Sequence, residues 1–216
     1  YSELTHRVTK NIDKLTKKKY GIFITPKSII NKMIHSIDPY MKKIKTILEP
    51  SCGSCEILDV IDKNYKKKQL VGIELNTSIF HEIQNMSFNN TTKLINMDYL
   101  KYDNNEKYDL IIGNPPYFVM PKNNVKKEYL QFFEGRPNIF VLFIVHSLDK
   151  LKENGILNFI LPKNFLNCLY YDKLRSYIVD NFTILNIEDV SEEKFLETQQ
   201  DTMIFIIQNK KMFRLL

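Results

Sequence analysis

An asparagine, two prolines and a tyrosine, Asn114-Pro115-Pro116-Tyr117, close the short apolar run Tyr108-Asp109-Leu110-Ile111-Ile112-Gly113. The run has the length of a buried strand, and Gly113 punctuates its end. Each proline fixes its own φ and biases the residue before it towards extended backbone, so Asn114 and Pro115 are both pre-set. Neither proline carries an N–H, which leaves carbonyl acceptors on the local backbone, and Asn114 adds a side-chain oxygen. Two acceptors on a rigid strand end suit a ligand with two N–H donors, such as an exocyclic or amide –NH2. Tyr117 supplies a flat face on which a planar group can stack. A Pro-rich turn after a core strand fits the same residues.

Three acids end other short apolar runs: Glu49 after Thr46-Ile47-Leu48, Glu74 after Leu70-Val71-Gly72-Ile73, and Asp98 after Lys93-Leu94-Ile95-Asn96-Met97. Glu49-Pro50-Ser51-Cys52-Gly53-Ser54-Cys55 leads into a helix, and strand, small-residue loop, helix is the first unit of a dinucleotide-binding-like fold. Glu74 then stands where an acid reads ribose hydroxyls in nucleotide-binding α/β folds, although an acid at a strand end is by itself only a solvated residue. Cys52-x-x-Cys55 could be half of a metal or thioredoxin-like site. Against this, no second Cys/His pair follows at a ligand spacing, and His81 and His146 are isolated.

Around these residues the patterning predicts a basic amphipathic helix over Ser2–Lys19, an extended loop Gly21–Pro26, and a helix over Lys27–Ile37 with Thr25 as N-cap, ended by Asp38-Pro39. Its N-terminus would suit a carboxylate. A helix is expected over Ser78–Met86, and a charged loop with a short helix over Val119–Arg136. A long apolar helix then runs from Pro137 to Lys152, stopped by Glu153-Asn154-Gly155. Strand Ile156–Leu161, a helix to Val179, and strands Ile184–Val190 and Met203–Ile207 complete the chain, the last two reading as an antiparallel hairpin at a sheet edge.

A chain of 216 residues can bury one sizeable core, so the whole is read as one domain. Its net charge of +6, with lysine clusters at Lys17–Lys19, Lys42–Lys45 and Lys66–Lys68, fits a polyanionic partner and equally a set of solvated faces. The longest apolar runs are too short to span a membrane, and the charged N-terminus has no signal-peptide pattern. Three cysteines cannot all pair, which points to a reducing, intracellular compartment. Beginning at Tyr1 suggests a fragment or a processed chain.

The Asn-Pro-Pro-Tyr stretch resembles the signature of the S-adenosylmethionine-dependent N6-adenine DNA methyltransferases of restriction–modification type, and the rest of the chain repeats their motif order. Phe23-x-Thr25-Pro26 is similar to motif X, Glu49-Pro50-Ser51-x-Gly53 to motif I, Glu74-Leu75 to motif II, Asp98-Tyr99 to motif III, Asn114–Tyr117 to motif IV and the Phe143 region to motif V. Phe195 is similar to the motif VIII aromatic. Cys55 departs from the pattern by standing where a second glycine is usual.

The resemblance implies a Rossmann-like class I methyltransferase: an α/β fold with a mostly parallel seven-stranded sheet, an antiparallel edge hairpin and helices on both faces. It implies S-adenosylmethionine as cofactor, held by Phe23, Thr25, Glu49, Pro50, Ser51, Gly53, Glu74, Leu75, Asp98, Tyr99, Asn114, Pro116 and Phe143. The reaction it implies is methylation of adenine N6 in DNA, with the target base flipped onto Asn114, Pro115, Pro116, Tyr117 and Phe195. Relatives of this order carry a target-recognition domain after motif VIII, expected here on a missing segment or another subunit. Adenine in RNA, cytosine N4, a protein glutamine, and a catalytically silent cofactor-fold module are the rival readings.

Overall fold

The computed structural model describes residues 25–193 and 200–210. The expected N-terminal helix, Phe23 and Phe195 lie outside the described residues.

Seven strands form one sheet: β1 (Thr46–Glu49), β2 (Gln69–Glu74), β3 (Thr91–Asn96), β4 (Tyr108–Gly113), β5 (Leu151–Pro162), β6 (Thr183–Asp189) and β7 (Thr202–Gln208). Their spatial order is β3-β2-β1-β4-β5-β7-β6. The first five are parallel to one another, whereas β7 runs antiparallel to both β5 and β6, which gives the expected edge hairpin. Runs such as Leu110-Ile111-Ile112 and Ile156–Leu161 are buried throughout because helices cover both faces. On one face lie α1 (Lys27–Met41) and α2 (Glu56–Asn64), with Ile83 of α3 (Thr77–Ile83). On the other lie α4 (Ile139–Asp149) and α5 (Asp172–Asn181). Residues 139–148 of α4 are buried all round, as a helix with no polar face must be.

Several boundaries depart from expectation. Helix α1 continues through Pro39 to Met41. Proline costs only one N–H in the last turn, and Met41 extends the buried face of Ile34 and Ile37. Pro26, not Thr25, occupies the N-cap position, and no side chain caps that end. Helix α4 stops at Asp149, and β5 has already begun at Leu151, so Glu153-Asn154-Gly155 forms an excursion within the strand rather than a helix stop. There the register against β4 jumps between Tyr108↔Leu151 and Leu110↔Ile156. Asn154 takes a φ of 60°, and a Cβ on Gly155 would lie 2.9 Å from the carbonyls of Lys152 and Tyr108, so only glycine fits. The single helix expected after Pro162 is instead two 3-10 turns, Lys163–Leu166 and Leu169–Tyr171, followed by α5.

Candidate active site

The carboxyl ends of β1, β2, β3 and β4 open on one cavity of about 410 Å³. That is where ligands sit in open α/β sheets, and the volume is that of a small-molecule site.

The turn after β1 is the tightest part of the wall. Glu49 ends the strand, and its turn is tied down by Cys52 N–H donating to Ile73 O at 2.9 Å and Cys55 N–H donating to Cys52 O at 2.7 Å. Both Gly53, at φ 52°, and Cys55, at φ 60°, lie in the left-handed region. The position where a glycine is usual therefore does call for positive φ, and Cys55 adopts it with its thiol buried at the start of α2. Among the described residues no group of three or more Cys, His, Asp or Glu could hold a metal ion.

Glu74 joins this turn to the next. Its Oε2 accepts from Gly53 N–H at 2.9 Å and its Oε1 from Asn76 N–H at 2.6 Å. Burial raises the Glu74 carboxyl, while the N–H bonds from Asn76, Gly53 and Leu75 oppose the shift. Asn76 in turn caps α3 by accepting from the N–H groups of Ser78 and Ile79. After β3, Asp98 caps a 3-10 turn by accepting from Leu100 N–H at 3.0 Å. Tyr99 lies beneath it, its ring 5.1 Å from that of Phe143 and its hydroxyl 2.9 Å from Ser147 Oγ.

Glu49 is the chemically unfinished group. Burial pushes its carboxyl well above the ordinary value of 4.5, with Cys55 and Glu74 adding to the shift, and its Oε2 has no hydrogen-bond partner. A buried carboxylate oxygen without a donor suits a cationic ligand group, and S-adenosylmethionine carries such a group in its α-ammonium. Phe143, Ile139 and Phe118 give the cavity an apolar wall.

On the fourth strand, Asn114 is held from three sides. Its carbonyl accepts from Ser51 Oγ at 3.1 Å, its Nδ2 lies 3.3 Å from Thr25 Oγ1, and its Oδ1 lies 2.6 Å from Tyr117 Oη. Tyr117 also reaches Ile160 O at 2.8 Å and stands edge-on to Phe140 at 6.1 Å. Burial pushes its phenol well above the ordinary range.

Of the residues singled out in the sequence, the cavity brings together Pro50, Ser51, Gly53, Glu74, Leu75, Asp98, Tyr99, Asn114, Pro116 and Phe143. Pro115 is buried at the tip beside them. Thr25 touches Asn114 rather than lining the cavity, and Glu49 lies beneath the turn. The wall also contains Asn76, Thr77, Ser78, Ile79, Met97, Phe118 and Ile139, which sequence reasoning missed. Asn76 and Phe118 directly follow motif residues, so adjacency was an available signal. Ile79 and Ile139 are ordinary helical apolar positions, and only the fold reveals their role.

Comparison with known proteins agrees with this architecture. The Eco57I restriction-modification methylase family matches over residues 54–196. Modification methylase CviBIII of Paramecium bursaria Chlorella virus NC1A is 30% identical over 211 residues, covering 97% of this chain and 55% of the relative. Type II methyltransferase M.CvrRI of Paramecium bursaria Chlorella virus XZ-6E is 29% identical over 202 residues, covering 93% of this chain and 52% of the relative. The chain thus spans about half the length of these curated relatives. A Listeria monocytogenes structure described as a class I S-adenosylmethionine-dependent methyltransferase superposes with a TM-score of 0.72 at 21% identity, covering 98% of this chain and 72% of that one. The sheet is that of the class I methyltransferases, and the chain belongs to the Eco57I restriction-modification methylase family.

Proposed function

We propose that this domain transfers a methyl group from S-adenosylmethionine to the exocyclic N6 of an adenine flipped out of DNA. Membership of the family and the class I sheet make S-adenosylmethionine the cofactor. The observation that carries the reading is the position of Asn114 and Pro116. They line the cofactor-sized cavity, yet they belong to the rigid tip whose acceptors suit an –NH2 group.

The bound cofactor supplies an electrophilic methyl on a sulfonium. The adenine N6 lone pair is delocalised into the ring and is a poor nucleophile. Acceptance of its two hydrogens by Asn114 Oδ1 and Pro115 O localises that pair and aims it along the bond to be formed, an effect of positioning and electrostatics. One N6 proton leaves to solvent once the new N–C bond has formed. Tyr117 holds the extruded ring by stacking worth about 1–3 kcal/mol, with Phe195 as its partner on the opposite face. Glu49 receives the cofactor's ammonium, Glu74 its ribose hydroxyls and Asp98 its adenine amine. Reading of the DNA sequence is placed outside these residues, on the remaining length that the curated relatives possess.

The test is nucleoside mass spectrometry of DNA from cells expressing the full-length protein, beside an Asn114→Ala version. N6-methyldeoxyadenosine made only with Asn114 intact is the expected result. Methylation that survives the substitution overturns the mechanism, and methylated RNA or protein in its place moves the substrate.

A further inference from the structure

We propose that the turn between β5 and α5, tipped by Leu169 and Tyr170, is a wedge that enters the DNA stack beside the extruded adenine. The inference rests on the base-flipping reading above and adds the surface that makes flipping possible.

Leu169 is 76% exposed and Tyr170 51% exposed, and Leu169 is the most exposed large apolar side chain among the described residues. Their neighbours are the reverse: Phe165 and Tyr171 are buried. The turn is therefore firmly based, with its most exposed apolar side chains at its tip. Its base is stitched by Arg175, whose Nη1 donates to Phe165 O at 2.7 Å and to Cys168 O at 2.8 Å. From the other side Glu134 N–H donates to Tyr170 O at 3.2 Å, and the Tyr170 ring packs on Gly135, where a Cβ would lie 2.6 Å away. A rigid protruding apolar pair is what a side chain inserted between base steps requires.

Its location fits the same role. Tyr171 and Phe165 pack on Phe140 at 5.1 and 6.1 Å, and Phe140 stands 6.1 Å from Tyr117. The tip is thus two ring contacts and one residue from the tyrosine that would receive the flipped base. The flanking charge favours a polyanion. Residues 119–136 and 163–175 together carry seven basic side chains against three acidic ones; Lys126, Lys173 and Arg175 pair with those three acids and Lys163 with Asp189, which leaves Lys122, Lys127 and Arg136 to meet phosphates. Extruding a base breaks its stacking and leaves a gap, and an apolar side chain in that gap offsets part of the loss.

The experiment uses the full-length protein. Sequencing of DNA methylated by the wild type gives the target site, which is then built into two duplexes, one intact and one with an abasic position opposite the target adenine. Leu169→Ala/Tyr170→Ala is expected to lower kcat/KM on the intact duplex by about tenfold or more and to come within about threefold of wild type on the abasic duplex, where the stack is already broken. Cofactor affinity and melting temperature stay at wild-type values, and Val179→Ala, at an apolar residue of α5 as exposed as Tyr170, is silent. No loss, equal loss on both duplexes, or a lowered melting temperature that shows the tip to be covered by protein overturns the wedge while the methylation reading stands. A wild type that makes no N6-methyladenine removes the reading beneath it.

Discussion

The hydroxyl of Tyr117 lies 2.6 Å from the carboxamide oxygen of Asn114, the atom that the proposed reaction needs as an acceptor. The same hydroxyl lies 2.8 Å from Ile160 O, so one proton serves two acceptors, and a substrate amine would share the carboxamide oxygen of Asn114 with the phenol or displace it to Ile160 O. Tyr117→Phe keeps the stacking ring and removes the competitor. Relief of a hydrogen bond worth about 1 kcal/mol should raise kcat/KM on DNA about fivefold with cofactor affinity unchanged. Steady-state kinetics at varied DNA concentration decide the point, and a fall in kcat/KM would show that the hydroxyl takes part in the reaction.

Cys55 holds φ 60° and ψ 24°, a conformation that costs an L side chain about 1–2 kcal/mol. Cys55→Gly removes that strain together with the contacts of a buried thiol, and should leave stability within about 1 kcal/mol of wild type. Cys55→Val puts a β-branched residue at positive φ and should cost about 2 kcal/mol or more, a fall of several degrees in Tm. A Cys55→Val protein that melts with wild type would contradict the backbone assignment.

The raised carboxyl of Glu49 ties stability to pH with a definite sign. A folded acid whose protonation midpoint is raised binds more protons than the unfolded chain, so ligand-free stability falls as pH climbs from the ordinary value of 4.5 through the folded value. Glu49→Gln should flatten that slope and raise the melting temperature of the ligand-free protein at pH 8. It should also weaken S-adenosylmethionine by about tenfold or more, since a charge-assisted hydrogen bond is lost. Melting curves across pH and calorimetric titration test the two halves separately.

His146 works in the opposite direction. Burial, aided by Lys150, lowers it to about 4, with Nδ1 2.7 Å from Tyr129 Oη and Nε2 3.2 Å from Tyr102 O. The unfolded histidine takes up its proton near 6.5, so stability is complete above that pH and declines as pH falls towards about 4, by about 3 kcal/mol in all. NMR titration should find the His146 ring neutral at pH 5.5. A midpoint near 6.5 would mean that Tyr129 does not seal it.

The fold was largely readable because its central strands are apolar throughout and end in glycine, proline or an acid, as Ile112-Gly113 and Ile73-Glu74 do. What escaped was decided by distant backbone. The excursion at Asn154-Gly155 is shaped by Tyr108 O and by Asn209, whose carbonyl accepts from Asn154 N–H at 2.8 Å. Nothing local to residues 153–155 announces that. Pro39 misled because the buried face carrying Met41 outweighs one lost N–H in a last turn. At the site, contiguous motifs such as Asn114–Tyr117 were legible, whereas Ile79, Met97 and Ile139 reach the cavity only through tertiary packing.

The bonds from Cys52 N–H to Ile73 O and from Gly53 N–H to Glu74 have a consequence for how the protein forms. Both join the turn after β1 to residues about twenty positions later, so within the turn only the bond from Cys55 N–H to Cys52 O is local. On the ribosome this turn cannot settle until β2 has emerged and docked beside β1. The segment meant to grip the cofactor is therefore among the later pieces of this half of the sheet to acquire its native shape.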